Sequence, residues 1–302
     1  MKAGGASGSV LTIEAPEMAV ALAAAIAAGD LLRAAFERPG RAPERRKGAH
    51  DVVTAADRAS EALIMARLAT AFPTDRRLGE ESGLRNARRR GAGPTRTWIV
   101  DPLDGTVNFA SALPFWCVSI ALAIDGTAEL GVIHDPLRDE TFAALRGRGA
   151  WRVPAGEPLD VRRLARLADA VVILDPGSVD DPEADDRLRI MRTRVRAVRA
   201  LGSIALSLAS LAAGRLDGVV QVRGLQAVDV AAAGLIAAEA GARVTDADGG
   251  PWLVIDGPAR GTGIAAARPG LHRRLLAAAS AAPIGSAGAG STVGPQAGSS
   301  SK

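Results

Sequence analysis

Apolar residues recur at helical spacing through 16–37 and 55–72, where Ala, Leu and Ile return every third or fourth position, and both stretches read as helices. The pattern then shortens. Residues 97–101, 115–124 and 128–134 are compact apolar runs that read as strands, with Asp125-Gly126 as the hairpin turn between the last two. A further strand at 141–145 leads into the glycine-rich bend from Gly147 to Trp151, which is taken to divide a first half, 16–150, from a second, 151–282. Beyond the bend, 170–174 and 217–222 read as strands and 203–213 and 228–240 as helices. Elements mixed in this way predict a layered α/β architecture. Residues 1–15 are read as a flexible N-terminus, and the Gly/Ser/Ala-rich 283–302 as a disordered tail.

The strand at 97–101 stops at an Asp-Pro pair and runs on as Leu103-Asp104-Gly105-Thr106-Val107-Asn108-Phe109. Proline cannot donate to a ladder and biases its predecessor away from helix, so Asp101 and Asp104 are expected at a strand tip. Carboxylates at that spacing can converge on one hard cation, with the Leu103 carbonyl as a further oxygen ligand. Gly105 and Thr106 offer backbone amides to a phosphate at a helix start. Asp-Pro and Asp-Gly pairs are also ordinary turn chemistry.

Two more acidic positions stand out. Glu80 and Glu81 are flanked by Gly79 and, after Ser82, by Gly83; acid pairs of this kind also occur on solvated surfaces. Asp229 opens the alanine-rich stretch that closes at Gly241, a first-turn acid that would equally complement a helix dipole.

Together these clusters resemble the inositol monophosphatase family of magnesium-dependent, lithium-sensitive sugar-phosphate phosphatases, over roughly residues 16–282. The resemblance extends to the segment from Lys47 to Asp57 and to Gly202-Ser203 with the helical run up to Gly218. It implies alternating helix and sheet layers with a site where the halves meet. Glu80, Asp101 and the Leu103 carbonyl would bind a first Mg²⁺; Asp101, Asp104 and Asp229 would bind a second. A third, weaker ion is expected near Glu80, and Mn²⁺ is a substitute. Asp57 and Thr106 would orient the attacking water, Glu80 would take part in catalysis, and the amides of Gly105 and Thr106 would hold phosphate. Asp104, Gly202, Ser203, Gln221 and Asp229 are the expected substrate contacts. The implied assembly is a homodimer.

Three positions depart from the family pattern. Val228 stands where Trp is usual before the third acid, Val222 where a glutamate commonly contacts sugar hydroxyls, and Ile204 where a small residue follows Gly-Ser. All three touch the substrate end and leave the metal ligands alone. Inositol-1-phosphate or a related polyol or sugar phosphate is therefore the expected substrate, with histidinol phosphate and fructose 1,6-bisphosphate as alternatives.

Composition narrows the remaining classes. The chain has 302 residues, 48% of them hydrophobic, enough for one large or two closely packed cores. Cys117 is its one cysteine and lies in an apolar run, which excludes an intramolecular disulfide and favours a buried core position. The histidines, His50, His134 and His272, are scattered. Net charge is only +4 and aromatics make up 3% with no tyrosine, so base-stacking surfaces are poorly supplied and nucleic acid is not the expected partner. Arginine-rich stretches at 85–96 and 187–199 read as solvated faces, with binding to RNA or transcription machinery as the alternative. The apolar stretch 18–28 follows Glu14 and Glu17 and runs on as helix, so neither a signal peptide nor a membrane span is expected, and the location is read as cytoplasmic.

Overall fold

The structure of the protein is a computed structural model, which describes residues 15–38, 44–46, 52–85, 93–161, 166–175, 189, 191–255 and 262–280. The expectations for the two termini, for 47–51 including His50, and for most of the arginine run at 86–92 lie outside these residues.

The described elements begin with α1 (Ala15–Phe36), the short pair β1 (Glu44–Arg46) and β2 (Val52–Thr54), and α2 (Ala55–Ala71). Then follow β3 (Arg76–Gly79), β4 (Gly83–Arg85), β5 (Arg96–Asp104), α3 (Thr106–Ala110), β6 (Cys117–Ile124), β7 (Thr127–Asp135), β8 (Glu140–Leu145), β9 (Gly149–Val153) and β10 (Glu157–Pro158). The rest comprises β11 (Val171–Asp175), β12 (Ala197–Arg199), α4 (Ile204–Ala212), β13 (Gly218–Leu225), α5 (Ala227–Glu239), β14 (Arg243–Thr245), β15 (Thr262–Ala267) and α6 (Pro269–Ser280).

β10-β9-β8-β7-β6-β5-β3-β4 form an eight-stranded sheet and β12-β11-β13-β15-β14 a five-stranded one. The first sheet carries through the glycine-rich bend at 147–151 as far as Pro158. Helices α1 and α2 cover one of its faces, α4 and α5 fill the space between the two sheets, and α6 closes the outer face of the second. The layers therefore alternate helix, sheet, helix, sheet, helix, as the family resemblance implies.

The packing explains the composition of each layer. Helix α5 reads Ala-Val-Asp-Val-Ala-Ala-Ala-Gly-Leu-Ile-Ala-Ala-Glu, and small side chains let both sheets approach it closely. A Cβ added at Gly131 on β7 would stand 2.6 Å from the Ala232 carbonyl oxygen. Helix α1 is long and apolar enough to cross a membrane by length and composition, which the sequence reading had not anticipated. Its Ala21, Ala24, Ala25, Ala28 and Leu32 are fully buried in the core shared with Trp98, Val100 and Leu122.

Candidate active site

Period-two alternation along β5 sends Trp98 and Val100 into the core under α1 and α2, and Ile99 into the core around α4 and α5. Asp101 inherits the direction of Ile99, so its carboxylate enters the middle layer, where it is only 2% exposed. The strand does not end at Pro102, as the sequence had suggested. It continues to Asp104, with a register shift against β6 between Asp101 and Asp104 that absorbs the donor proline lacks. Ser60 Oγ on α2 donates to the Pro102 carbonyl at 3.0 Å, and the Leu103 amide donates to Asp101 Oδ1 at 2.9 Å. The bulge is thus held from both sides.

Three other acids approach Asp101 from separate elements. Glu80 follows β3, whose parallel pairing sets Gly79 opposite Val100, and its amide donates to the Val100 carbonyl at 3.2 Å. The neighbouring Glu81 amide donates to Glu61 Oε2 of α2 at 2.8 Å, which anchors the turn. Asp104 lies at the end of β5, and Asp229 in the first turn of α5, where its Oδ2 accepts from the Gln226 amide at 2.6 Å. Burial, then the charges of Glu80, Asp104 and Asp229, push the Asp101 carboxyl well above its usual range.

Asp104 is treated differently. Burial raises its pKa too, but Ser203 Oγ and the amides opening α4 oppose that shift. The Ala205 amide donates to Asp104 Oδ2 at 2.7 Å, so this carboxylate also serves the exposed donors of a helix N-terminus. Cys117 Sγ sits 3.9 Å from the same oxygen, buried as expected, and burial followed by the charges of Asp104 and Asp101 pushes its thiol up. It is a poor nucleophile there.

The second constellation joins Asp57 and Thr106. Thr106 Oγ1 lies 3.0 Å from both Asp57 Oδ1 and the Leu103 carbonyl oxygen. One hydroxyl carries one proton, so it donates to one acceptor at a time and keeps lone pairs for another donor such as water. Gly105 precedes it at φ 97°, and a Cβ there would meet the Phe115 carbonyl at 3.0 Å and Ser203 Cβ at 3.2 Å. Only glycine suits this bend. Asn108 Nδ2 donates to the Phe115 and Leu201 carbonyls, each at 2.7 Å, and so ties α3 to the chain entering Gly202.

A cavity of about 200 Å³ opens beside this centre, lined on one wall by Asp104 and Asp229 and elsewhere by Gly202, Ser203, Gln221 and others. The structure therefore brings together the predicted Asp57, Leu103 and Thr106, gathers Glu80, Asp104 and Asp229 around Asp101, and puts Gly202, Ser203 and Gln221 on the cavity wall. Gly105 and Thr106 stand half-buried at the start of α3. Asp175, Ser207 and Ile173 also line the cavity and were missed. A signal existed for Asp175: Ile173-Leu174-Asp175-Pro176 repeats the apolar-Asp-Pro ending of Ile99-Val100-Asp101-Pro102. Ser60 gave no such signal, because its role depends on a contact 42 residues away.

Among the described residues, no three His, Cys, Asp or Glu side chains are gathered tightly enough to enclose one ion. Asp104 and Asp229 each give one oxygen to a protein donor. The donor chemistry nonetheless fits a hard divalent ion: all oxygen and acidic, with the charges of Glu80, Asp104 and Asp229 acting on the buried Asp101.

The profile of the inositol monophosphatase family matches residues 14–283, and the chain belongs to that family. Inositol monophosphatase 2 of Solanum lycopersicum is 38% identical over 234 residues, which cover 76% of this chain and 87% of the tomato protein. The protein named Nus factor SuhB of Escherichia coli K12 is 35% identical, over 87% of this chain and 95% of its own. Among solved structures, the extragenic suppressor protein SuhB of Bartonella henselae superposes with a TM-score of 0.80 at 34% identity, over 88% of this chain and 99% of that one. The inositol monophosphatase of Anabaena gives 0.73 at 33% identity, over 87% and 94% respectively. Membership supports a phosphatase of this generally Mg²⁺-dependent superfamily.

Proposed function

We propose that the protein hydrolyses small phosphomonoesters, inositol-1-phosphate or a related polyol or sugar phosphate, with Mg²⁺ as cofactor. The observation that carries this reading is the buried Asp101, which feels the charges of Glu80, Asp104 and Asp229, next to a Thr106–Asp57 hydrogen bond. Burying Asp101 and Asp104 with the half-buried Glu80 and Asp229 close enough to repel Asp101 costs stability, and a bound divalent ion would offset the cost.

In this reading Glu80, Asp101 and the Leu103 carbonyl would hold one ion, and Asp101, Asp104 and Asp229 another, with a third, weaker ion near Glu80. When bound, the ions neutralise phosphate charge and acidify the attacking water. The chain's own residues supply position. Thr106 Oγ1 donates its proton to Asp57 and accepts from the water, which fixes the direction of a lone pair toward phosphorus. The amides of Gly105 and Thr106 meet the phosphate oxygens, and Gly202, Ser203 and Gln221 bound the organic part of the substrate. A homodimer in the cytoplasm belongs to the same reading, and sedimentation and cell fractionation measure it.

Release of inorganic phosphate from a panel of inositol, glycerol, glucose and histidinol phosphates tests the proposal. Hydrolysis is expected with Mg²⁺ or Mn²⁺ and none in EDTA; full activity in EDTA would overturn it.

The relatives named Nus factor favour a second reading, association with RNA or transcription machinery. Arg189, Arg192, Arg194, Arg196 and Arg199 are exposed and provide a basic face for it. Retention of RNA that falls steeply with salt would support this role, and retention indifferent to salt would remove it.

A further inference from the structure

Strands β11 and β13 run parallel, with Asp175 directly opposite Gln221. Their pleat can be read from the cores on either side. Ile173 and Val219 join the core around α4 and α5, whereas Val172, Leu174 and Val220 join the core under α6. By the same alternation Asp175 and Gln221 point toward α4 and α5, and both line the cavity. Val222, the position where the sequence lacks an expected acid, is buried and does not line it.

The cavity thus has two acidic walls. Asp104 and Asp229 form the one next to Asp101, and Asp175 contributes to the other with Ile173 and Gln221. The walls cannot do the same work. An ionised carboxylate only accepts hydrogen bonds, so Asp175 repels a phosphate and attracts hydroxyl or ammonium donors. Gln221 Nε2 already donates to the Arg223 carbonyl at 3.1 Å. Its amide oxygen is a weaker acceptor than a carboxylate, so Asp175 is the stronger acceptor on this wall. At about 200 Å³ the cavity is smaller than the roughly 300–1,000 Å³ typical of drug-sized sites, which suits a compact polyol better than a nucleoside.

We infer that Asp175 is a specificity-determining residue that accepts hydrogen bonds from hydroxyl groups of the substrate's polyol portion. It takes over, from a neighbouring strand, the task that the apolar residue at 222 cannot perform. The inference rests on the phosphomonoesterase reading above. It makes the enzyme selective for hydroxyl-bearing substrates through a residue on β11 instead of β13.

Steady-state kinetics on the Mg²⁺-loaded full chain, with inositol-1-phosphate, glycerol phosphate, histidinol phosphate and the hydroxyl-free p-nitrophenyl phosphate, test it. In Asp175→Asn the ratio of kcat/KM for polyol phosphates to that for the aryl phosphate should fall at least about tenfold, carried mainly by KM. Asp175→Asn combined with Gln221→Glu returns a carboxylate to the same wall and should recover part of that ratio. Equal losses on all substrates, or an unchanged ratio, would overturn the inference, as would a loss confined to the ammonium-bearing histidinol phosphate. If the wild-type protein releases phosphate from none of these compounds with Mg²⁺, the phosphomonoesterase reading fails first; if it cleaves them and the ratio does not move, only the role of Asp175 fails.

Discussion

The two ends of strand β5 handle buried acid in opposite ways. At the entry, Asp75 accepts from Arg96 Nε at 3.0 Å and from Trp98 Nε1 at 3.0 Å, while Arg96 Nη2 reaches Glu17 of α1 at 2.9 Å. Each carboxylate there has a cation or a strong donor. At the exit, the charges of Asp104, Glu80 and Asp229 add to the effect of burial on Asp101. Both ends lie on the same buried strand and obey the same dielectric rules. The entry is built as structure, where opposite charges are matched within the chain. The exit leaves like charges together, an arrangement that folding alone does not reward and that a cationic ligand would.

The largest expected contrast comes from Asp101→Asn. It should lower kcat/KM for phosphomonoesters by at least about 1,000-fold, roughly 4 kcal/mol, because it alters the acid shared by both proposed ion sites. In EDTA the variant should be as stable as the wild type or more so, since a repelled buried charge is removed. Activity above a tenth of wild type, or a marked loss of stability in EDTA, would erase the difference between the two ends.

At the entry the expectation reverses. Asp75→Ala leaves Trp98 Nε1 buried without its partner and deprives Arg96, whose side chain is 25% exposed, of one of its two acids. We expect a loss of about 2–3 kcal/mol in urea unfolding, with kcat changed by less than about threefold. A catalytic defect as deep as that of Asp101→Asn at intact stability would contradict the division.

The smallest effect sharpens the comparison from outside the strand. His134 on β7 is buried with Nδ1 2.9 Å from Thr141 Oγ1. Burial lowers its pKa from the usual 6.5, against the raising influence of Asp135, Asp139 and Asp30, while Arg33 adds to the lowering. A base with a depressed native pKa is neutral in both states above 6.5; as pH falls through 6.5 the unfolded chain takes up the proton first, so stability declines until the native value is reached. Unfolding free energies at pH 8 and pH 5.5 should therefore differ less in His134→Gln than in the wild type. An identical pH dependence would mean that His134 is not held neutral.

Much of this was legible along the chain, and for identifiable reasons. Helix α2 was expected at 55–72 and spans Ala55–Ala71, and α5 was expected at 228–240 and spans Ala227–Glu239, because apolar periodicity and small-residue runs are local signals. Asp101 and two of the acids around it, Glu80 and Asp104, were legible because they lie beside proline or glycine, and Asp229 because it opens an alanine-rich helical run. The continuation of β5 through Pro102 was not, since it depends on Ser60 donating from another helix. Strands such as β14, β15 and the short β3 were missed because runs of a few residues look alike in strands and loops until a partner strand is known. Asp175 was overlooked for a different reason. Its Asp-Pro ending was visible, but only the pairing of β11 with β13 brings it opposite Gln221.

Gly131 lies in the middle of β7, and no hydrogen bond links it to the acids. Yet its missing methyl is what lets the Ala232 carbonyl come so near the sheet, and Ala232 stands three residues along α5 from Asp229. The helix rests on that glycine as a lever rests on its fulcrum. The reach of Asp229 toward Asp101 is consequently calibrated on a strand that contributes no ligand, and the accuracy of the acidic centre depends on how thin the protein is at a point beneath it.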